Sequence, residues 1–320
     1  MLIKQRKLPL IIKVDEALLR RLPINHRKRS LIEEDLAIRN ACYKGEQNLD
    51  YYLDRLPQQN LYILNDLRIK NDKYFFQIDT LLLTPNFGLI IEAKNFSGTL
   101  FFDTISKQFI RTYGNKEEGF SDPIIQVQEQ QEQLVDWLFA HQIMDFPIEY
   151  IIGISNPETI IKAHPGSQSI FQFILHYPHI KNRFLELQAK YSKYDINPQQ
   201  LRKLCDQLVR AHSPYIPNIQ SLYNINQSDI SQGVQCPECK HLPMLRVSHT
   251  WRCPHCKHQS KSAHLQAMED YLLLFNPQLT NQACREFLCL KSRNIAYKLL
   301  KASGLPFSGS NKGRVYYRGD

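Results

Sequence analysis

The segment 74–102, YFFQIDTLLLTPNFGLIIEAKNFSGTLFF, constrains the fold of this chain more than any other. Its apolar runs predict two buried strands joined by the turn TPNFG, and a third strand follows at residues 100–102. Asp79 lies on the first strand, and Glu92 and Lys94 lie on the second. Because an unpaired buried charge is costly, these three groups need partners. A divalent metal ion would be one such partner.

The spacing of the three charged residues suggests how they meet. Side chains two residues apart in a strand point to the same face, so Glu92 and Lys94 share a face, and Asp79 can lie beside Glu92 from the neighbouring antiparallel strand. Two carboxylates and a backbone carbonyl form an oxygen site suited to Mg²⁺ or Mn²⁺. Such a metal ion would polarise a phosphoryl oxygen and activate a water, while Lys94 would position that water or stabilise the transition state. The alternative is a Glu92–Lys94 salt bridge on a solvated face, and spacing alone leaves both open.

The surrounding pattern predicts a mixed α/β domain over residues 37–215. A helix over 37–55 carries Gly45 and Glu46, and the glycine there would permit close packing. Asp122 is the predicted N-cap of a helix over 123–142, and Gln126 and Gln130 share one face of that helix. The other predicted elements are a strand at 61–69, a strand at 108–113, a loop at 114–121, strands at 148–155 and 168–175, and helices at 180–192 and 197–212.

Four of the eight cysteines form the pattern C-x2-C-x13-C-x2-C. Two Cys-Pro-x-Cys turns separated by a β-hairpin are typical of a zinc ribbon, in which four thiolates close a tetrahedral structural Zn²⁺ site. His255 and His258 are nearby alternative ligands, but four cysteines already complete the coordination. The predicted ribbon spans 234–260, and its zinc ligands are Cys236, Cys239, Cys253 and Cys256.

The last segment, 263–320, predicts three short helices followed by a hairpin. This order is similar to a winged helix-turn-helix, a module that binds DNA with one helix and one hairpin. The alternative is a small helical cap with a charged surface. The residues expected to contact nucleic acid are Arg293, Asn294, Lys298, Lys301, Lys312 and Arg314.

Charge is distributed unevenly along the chain, which has a formal net charge of +9. Residues 236–320 contain 13 Lys and Arg against 5 Asp and Glu, and residues 1–36 contain 9 against 5. The middle, 37–235, contains 18 against 21. An acidic centre between basic ends suits a metal-binding core with flanks that bind a polyanion, although a solvated surface remains the alternative. Residues 1–36 are accordingly predicted to be an N-terminal arm, and 216–233 a linker.

Two further features concern the compartment. No apolar run reaches the length of a membrane span, and Asp15 and Glu16 interrupt the apolar N-terminus where a signal peptide would continue. The four cysteines outside the ribbon are scattered through predicted helices, which favours free thiols over a disulfide framework. We therefore expect a cytoplasmic protein.

Residues 37–155 resemble the nuclease-related domain, NERD, of the PD-(D/E)xK nuclease-like superfamily. The residues that carry the resemblance are Gly45-Glu46, Ile78-Asp79, Gly88 to Ile91, Glu92-Ala93-Lys94-Asn95, Gly98, and Asp122-Pro123 to Gln126. The family usually has Asn-Pro where this chain has Asp122-Pro123, a departure that preserves helix capping. The resemblance implies a restriction-endonuclease-like core whose active-site residues are Glu46, Asp79, Glu92, Lys94 and Gln126. Many family members carry appended zinc or DNA-processing modules.

These patterns lead to one principal hypothesis and two alternatives. The principal hypothesis is a nuclease that uses Mg²⁺ or Mn²⁺ at Asp79 and Glu92, with the ribbon and the helix-turn-helix binding DNA. One alternative is a non-catalytic nucleic-acid-binding protein on a nuclease-like scaffold, and the other is a protein-interaction module that uses the ribbon. The choice between DNA and RNA, the sequence preference and the oligomeric state stay open.

Overall fold

The computed structural model describes residues 1–143 and 145–319, except the side chain of Lys312. Its contacts divide the chain into two compact units. The first unit combines Met1–Leu8 with Asn40–Tyr215, and the second combines Pro9–Arg39 with Ile216–Asp320.

Helices and strands are numbered here in chain order. The helices are α1 (Leu10–Arg21), α2 (Arg29–Leu53), α3 (Pro123–Ala140), α4 (Ile180–Lys190), α5 (Pro198–Ala211), α6 (Ile219–Tyr223), α7 (Ala263–Leu274), α8 (Asn281–Phe287) and α9 (Arg293–Ala302). The strands are β1 (Leu2–Lys4), β2 (Tyr62–Asn71), β3 (Tyr74–Leu83), β4 (Gly88–Lys94), β5 (Thr99–Asp103), β6 (Gln108–Tyr113), β7 (Lys116–Phe120), β8 (Ile148–Ile154), β9 (Ile160–Ala163), β10 (Ile174–His176), β11 (Leu245–Val247), β12 (Thr250–Arg252), β13 (Gln259–Ser260), β14 (Gln278–Thr280), β15 (Phe307–Ser308) and β16 (Val315–Tyr317).

A six-stranded mixed sheet organises the first unit, in the order β1-β2-β3-β4-β8-β10. Strands β2, β3 and β4 are antiparallel, whereas β4, β8 and β10 are parallel, so the carboxyl ends of β4, β8 and β10 lie at one edge. One face packs against α3 and α5, and the other packs against the end of α2 and against α4. Because both faces are covered, the strands are continuous apolar runs. The predicted mixed α/β core is confirmed.

The first unit also contains a second sheet, in the order β7-β6-β5-β9, and two details of the prediction need correction. The predicted loop 114–121 contains strand β7, whose five residues are all exposed and therefore show no apolar alternation. The predicted strand 168–175 is a 3-10 helix, Gln168–Gln172, followed by the short strand β10. Burial in this segment does not follow the two-residue period of a strand, because Ile170 and Ile174 are buried whereas Gln172 between them is exposed.

The N-terminal residues, predicted to be an arm, are shared between the two units. Strand β1 pairs in parallel with β2 at the edge of the main sheet. Helix α1 belongs to the second unit, where Arg21 donates a hydrogen bond of 2.6 Å to Asp270 on α7. Both side chains of this ion pair are fully buried. The finer boundaries of the arm, linker and C-terminal modules stay predictions.

The second unit contains two three-stranded sheets, β11-β12-β13 and β14-β16-β15. The order of elements from α7 to β16 is helix, strand, helix, helix and hairpin, which is the order of a winged helix. The hydroxyls of Thr280 and Ser292 cap α8 and α9. Within the predicted linker, the short helix α6 contributes Ile219 and Tyr223 to the core around α1.

Among the described residues, no helix has both the length and the apolar character that a membrane span requires.

Candidate active site and metal centre

Glu92 is the centre of the polar cluster at the end of β4. Its side chain is 4% exposed, although it is a carboxylate on a strand. Lys94 Nζ donates to Glu92 Oε1 at 2.7 Å, Gln126 Nε2 donates to the same oxygen at 2.7 Å, and Gln130 Nε2 donates to Oε2 at 3.0 Å. Lys94 Nζ also donates to Gln126 Oε1 at 2.9 Å. The Glu92–Lys94 pair therefore exists, but it is enclosed by α3 and does not lie on a solvated face.

Asp79 lies where strands β3 and β4 separate. The ladder between them runs from Leu83 opposite Gly88 to Thr80 opposite Ile91. Beyond it, the Asp79 side chain reaches across, and its Oδ2 accepts a hydrogen bond of 2.9 Å from the Ala93 N–H. Burial raises the pKa of the Asp79 carboxyl well above its usual range, and the carboxylates of Glu92 and Glu46 raise it further. The two predicted metal ligands therefore interact electrostatically.

Helix α2 approaches this cluster closely because residue 45 is glycine. A Cβ at Gly45 would lie 2.8 Å from Asn95 Cβ and 3.3 Å from Ser155 Oγ. Asn95 Nδ2 donates to the Ala41 carbonyl at 2.7 Å, so the residue after Lys94 ties α2 to the end of β4. The predicted close packing at Gly45 is present, and it brings the next residue, Glu46, to the site.

Glu46 is paired with an arginine from the N-terminal segment. Arg6 Nη1 donates to Glu46 Oε2 at 2.9 Å. Burial raises the pKa of Glu46 to about 7, and the positive charge of Arg6 opposes that rise. Among the described residues, Glu46, Asp79 and Glu92 do not form a group of three carboxylates whose oxygens all lie within 4.8 Å of one another.

The structure thus brings the five predicted active-site residues to one edge of the sheet. They come from α2 (Glu46), β3 (Asp79), β4 (Glu92 and Lys94) and α3 (Gln126). Two further residues contact them. The sequence identifies Gln130 only as a neighbour of Gln126 on the helix face, and that spacing is its signal. Arg6 has no signal beyond its charge.

Residues 41–155 match the family model of the nuclease-related domain, NERD. The match covers 115 of the 320 residues, and we refer to the matched segment as the NERD domain. No curated protein and no solved structure matches the chain significantly. The NERD domain contains the five predicted active-site residues and Gln130, whereas Arg6 lies before its first matched residue. The expected family and its nuclease-like core are therefore confirmed.

The oxygen donors at the end of β4 suit a hard divalent ion. Among the described residues, the Asp79 carboxylate accepts one hydrogen bond, which a backbone N–H donates to Oδ2. Glu92 accepts three, and a carboxylate has about four acceptor positions. Both carboxylates thus retain acceptor capacity. Burial is the main cause of the raised pKa of Asp79, and the carboxylates of Glu92 and Glu46 add negative charge that a cation would offset. Mg²⁺ or Mn²⁺ fits this donor set.

Four of the six cysteines in the second unit form a candidate metal centre, which lies outside the NERD domain. Their sulfur atoms all lie within 4.8 Å of one another, with 3.6 Å between Cys236 and Cys256 and 3.5 Å between Cys239 and Cys253. Tetrahedral Zn²⁺ with Zn–S bonds of about 2.3 Å requires sulfur separations of about 3.8 Å. The predicted four-cysteine cluster is confirmed, and it fits zinc.

The two cysteine turns of this centre are near copies of each other. The N–H of Lys240 donates to the carbonyl of Cys236, and the N–H of Lys257 donates to the carbonyl of Cys253, each at 3.1 Å. Both lysines have a positive φ, of 61° and 64°. Between the turns, β11 and β12 form the predicted hairpin, on which Trp251 is buried and Leu245 is exposed.

Helix α9 carries a basic surface in the second unit. Arg293, Asn294, Lys298 and Lys301 are all exposed on it, while Ala296, Leu299 and Leu300 face the core. In the hairpin that follows, the Arg314 guanidinium lies 4.5 Å from the centre of the Phe307 ring. Of the remaining predicted contact, Lys312, only the backbone is described.

Proposed function

We propose that the NERD domain is a metal-dependent nuclease that hydrolyses phosphodiester bonds of DNA. The observation that carries this proposal is the buried carboxylate of Glu92, which is held between Lys94 and two glutamines beside Asp79. A buried carboxylate with this many oriented donors is costly to assemble, and such clusters of perturbed acids are typical of catalytic sites. The family match supports a nuclease-related role for the same residues.

The residues divide the chemistry between them. Asp79 and Glu92 would hold Mg²⁺ or Mn²⁺ through carboxylate oxygens, and the bound ion would supply Lewis acidity at a phosphoryl oxygen and a more acidic water. Glu92 and Gln126 fix the Lys94 ammonium by hydrogen bonds of 2.7 and 2.9 Å. Its position beside the carboxylates suits a cation that orients the attacking water or stabilises negative charge on phosphorus in the transition state.

The second unit would bind the nucleic acid. The basic face of α9 is exposed, and a winged helix places the corresponding helix in the major groove. The ribbon would be structural, because four thiolates leave no open coordination position on Zn²⁺. The eight cysteines, all of them among the described residues, form no disulfide, which suits a reducing compartment, and we place the protein in the cytoplasm.

Catalysis is tested by incubating zinc-loaded protein with supercoiled, linear and single-stranded DNA and with RNA, in Mg²⁺, in Mn²⁺ and in chelator. We expect metal-dependent cleavage of DNA that is lost in Asp79→Asn and in Lys94→Ala. The matched controls are Asp136→Asn and Lys116→Ala, which alter exposed residues and should cleave at the wild-type rate. DNA binding without cleavage, unchanged by the first two substitutions, would instead favour a non-catalytic role. Cleavage of RNA alone would show that the substrate is RNA and not DNA.

Binding is tested separately by the salt dependence of DNA affinity. Removal of one lysine that contacts a phosphate reduces the slope of log affinity against log salt by about 1. Lys298→Ala should weaken binding and lower this slope, whereas Lys261→Ala, at an exposed residue before α7, should not. Equal salt-dependence slopes for wild type and Lys298→Ala would show that α9 is not part of the DNA interface.

A further inference from the structure

Arg6 occupies an unusual position beside the NERD active site. Its side chain is 2% exposed, although Arg6 precedes residue 41, the first matched residue of the NERD domain, by more than thirty residues. Nη1 donates to Glu46 Oε2 at 2.9 Å, to Asp66 Oδ1 at 3.1 Å and to the Asp79 carbonyl at 3.4 Å. Nη2 donates to Thr80 Oγ1 at 2.8 Å and to Asn65 Oδ1 at 3.3 Å. Nη2 also donates to Asp50 Oδ1 at 3.4 Å. One guanidinium therefore contacts three carboxylates and the backbone of a predicted metal ligand.

The guanidinium sits at an interruption in the sheet. The ladder pairs Asn65 with Thr80 and Leu67 with Ile78, and it skips the intervening pair, Asp66 and Asp79. Asp66 has a φ of 51°, a left-handed conformation that disrupts regular pairing at this point. Arg6 supplies hydrogen bonds on both strands at the gap, to Asp66 on β2 and to the Asp79 carbonyl on β3.

This arrangement bears on the number of metal ions. Nucleases that use two ions hold them about 3.5–4 Å apart between shared carboxylates. Here, Asp79 and Glu92 could serve one ion, and Glu46 and Asp66, which both contact Arg6 Nη1, would be candidate carboxylates for a second. Those two already accept hydrogen bonds from a permanently charged guanidinium. A second cation would have to displace Arg6 or withstand its repulsion at short range.

We propose that Arg6 is a positioning residue that acts as the fixed cation of this carboxylate cluster, so that the active site binds one metal ion, at Asp79 and Glu92, and not two. Glu46 is then an anchor for Arg6 and not a metal ligand. This inference rests on the proposed function, because it assumes the metal site at Asp79 and Glu92.

The experiment counts bound Mn²⁺ in zinc-loaded protein without DNA, from the electron paramagnetic resonance signal of free Mn²⁺. Asp79→Asn defines the background. We expect one ion above background in wild type and one in Glu46→Gln. Arg6→Gln should bind one additional ion, which is lost again when Glu46→Gln is combined with it. Arg6→Lys, which keeps the positive charge, should stay at one.

The outcomes separate this inference from the proposal on which it rests. Two ions in wild type, one of them lost in Glu46→Gln, would overturn the role of Arg6 and leave the nuclease proposal intact. A count of one in a folded Arg6→Gln would do the same. No ion above background in wild type would overturn both. The comparison of wild type with Glu46→Gln stands even where Arg6→Gln does not fold.

Discussion

At the scale of single residues, the burial of Glu92 distinguishes the proposed active site from a surface ion pair. An exposed pair contributes about 0–1 kcal/mol and leaves its carboxylate in water. Glu92 instead lies beneath α3 with Lys94, Gln126 and Gln130 as donors. Hydrogen bonds to a charged group contribute about 1.5–3 kcal/mol each, and they offset the cost of removing this carboxylate from water.

The raised pKa of Glu46 predicts how stability depends on pH. The ordinary pKa of this group is 4.5, and in the folded protein it is about 7. Between these values the folded state binds more protons than the unfolded state, so the contribution of Glu46 to stability is complete below about pH 4.5 and is lost as the pH rises through about 7.

Glu46→Gln removes this titration. In urea unfolding of metal-free protein, the wild type should lose more unfolding free energy between about pH 5 and about pH 8 than Glu46→Gln does. Identical pH dependence in the two proteins would show that Glu46 does not titrate as described.

Gly45 offers a second test at this scale. Alanine is a better helix former than glycine by about 1 kcal/mol, but its Cβ would lie 2.8 Å from Asn95 Cβ. Overpacking of this kind costs about 1–3 kcal/mol, so Gly45→Ala should lower the urea midpoint. The control is Gly119→Ala, where a Cβ meets no atom within 4 Å and the midpoint should hardly move. A Gly45→Ala protein as stable as Gly119→Ala would contradict the close approach of α2.

At the scale of elements, the second unit depends on helix α1. Arg20 and Arg21 both donate to Asp270 on α7, and the Arg21–Asp270 pair is fully buried. Removing one partner of a buried ion pair costs about 3–5 kcal/mol, because the other charge is left unpaired. Asp270→Asn should therefore strongly destabilise the second unit.

The neighbouring residue supplies the control for this prediction. The side chain of Glu269 is 42% exposed, and its contact with Lys13 is 3.9 Å, so Glu269→Gln should cost about 0–1 kcal/mol. Stability is measured by urea unfolding of the full chain. If Asp270→Asn and Glu269→Gln have the same midpoint, α1 is not held to α7 through this pair.

The zinc ribbon makes a prediction of the same kind. Its short strands offer little core, so metal binding should supply most of its folding free energy. Cys236→Ser should release zinc and disorder the hairpin around Trp251, whereas Cys289→Ser, at an exposed cysteine outside the cluster, should retain zinc. Zinc content and tryptophan fluorescence report the change. Full zinc content in Cys236→Ser would show that the ligand set is wrong.

Sequence alone predicted the elements whose pattern is local. Alternating or continuous apolar runs identified β2, β3, β4 and β8, and the cap at Asp122 identified the start of α3, whose first turn carries Gln126. Strand β7 was missed because all five of its residues are exposed, so its sequence has no apolar alternation. It is a strand because its backbone pairs with β6.

At the scale of the whole molecule, the parts that sequence could not predict are those that join distant segments. Arg6 reaches Glu46 across forty residues and Asp66 across sixty, and nothing near it in the chain distinguishes it from the other basic residues of the N-terminus. The same reason applies to α1 and Asp270, which lie about 250 residues apart. The spacing of the motif predicts which acids belong to the site, whereas the arginines that pair with buried acids are identified only from the three-dimensional structure.

The uneven charge along the chain is consistent with one region for cleavage and another for binding of the substrate. The acidic middle of the chain contains the carboxylates of the proposed metal site, and residues 236–320 carry 13 Lys and Arg against 5 Asp and Glu. A polyanionic substrate would be held by the basic residues of 236–320, while a bound metal ion would reduce repulsion from the carboxylates that hold it. Cleavage and binding should therefore be separable by substitution.

The most direct test of this account is the rate of plasmid nicking in Mg²⁺ by Glu92→Gln, relative to wild type, at equal DNA occupancy. Glu132→Gln, at an exposed residue of α3, is the control and should nick at the wild-type rate. Loss of several kcal/mol of transition-state stabilisation corresponds to a decrease on the order of a thousandfold, and we predict at least this decrease for Glu92→Gln. Equal nicking rates for wild type and Glu92→Gln would contradict the assignment of the active site.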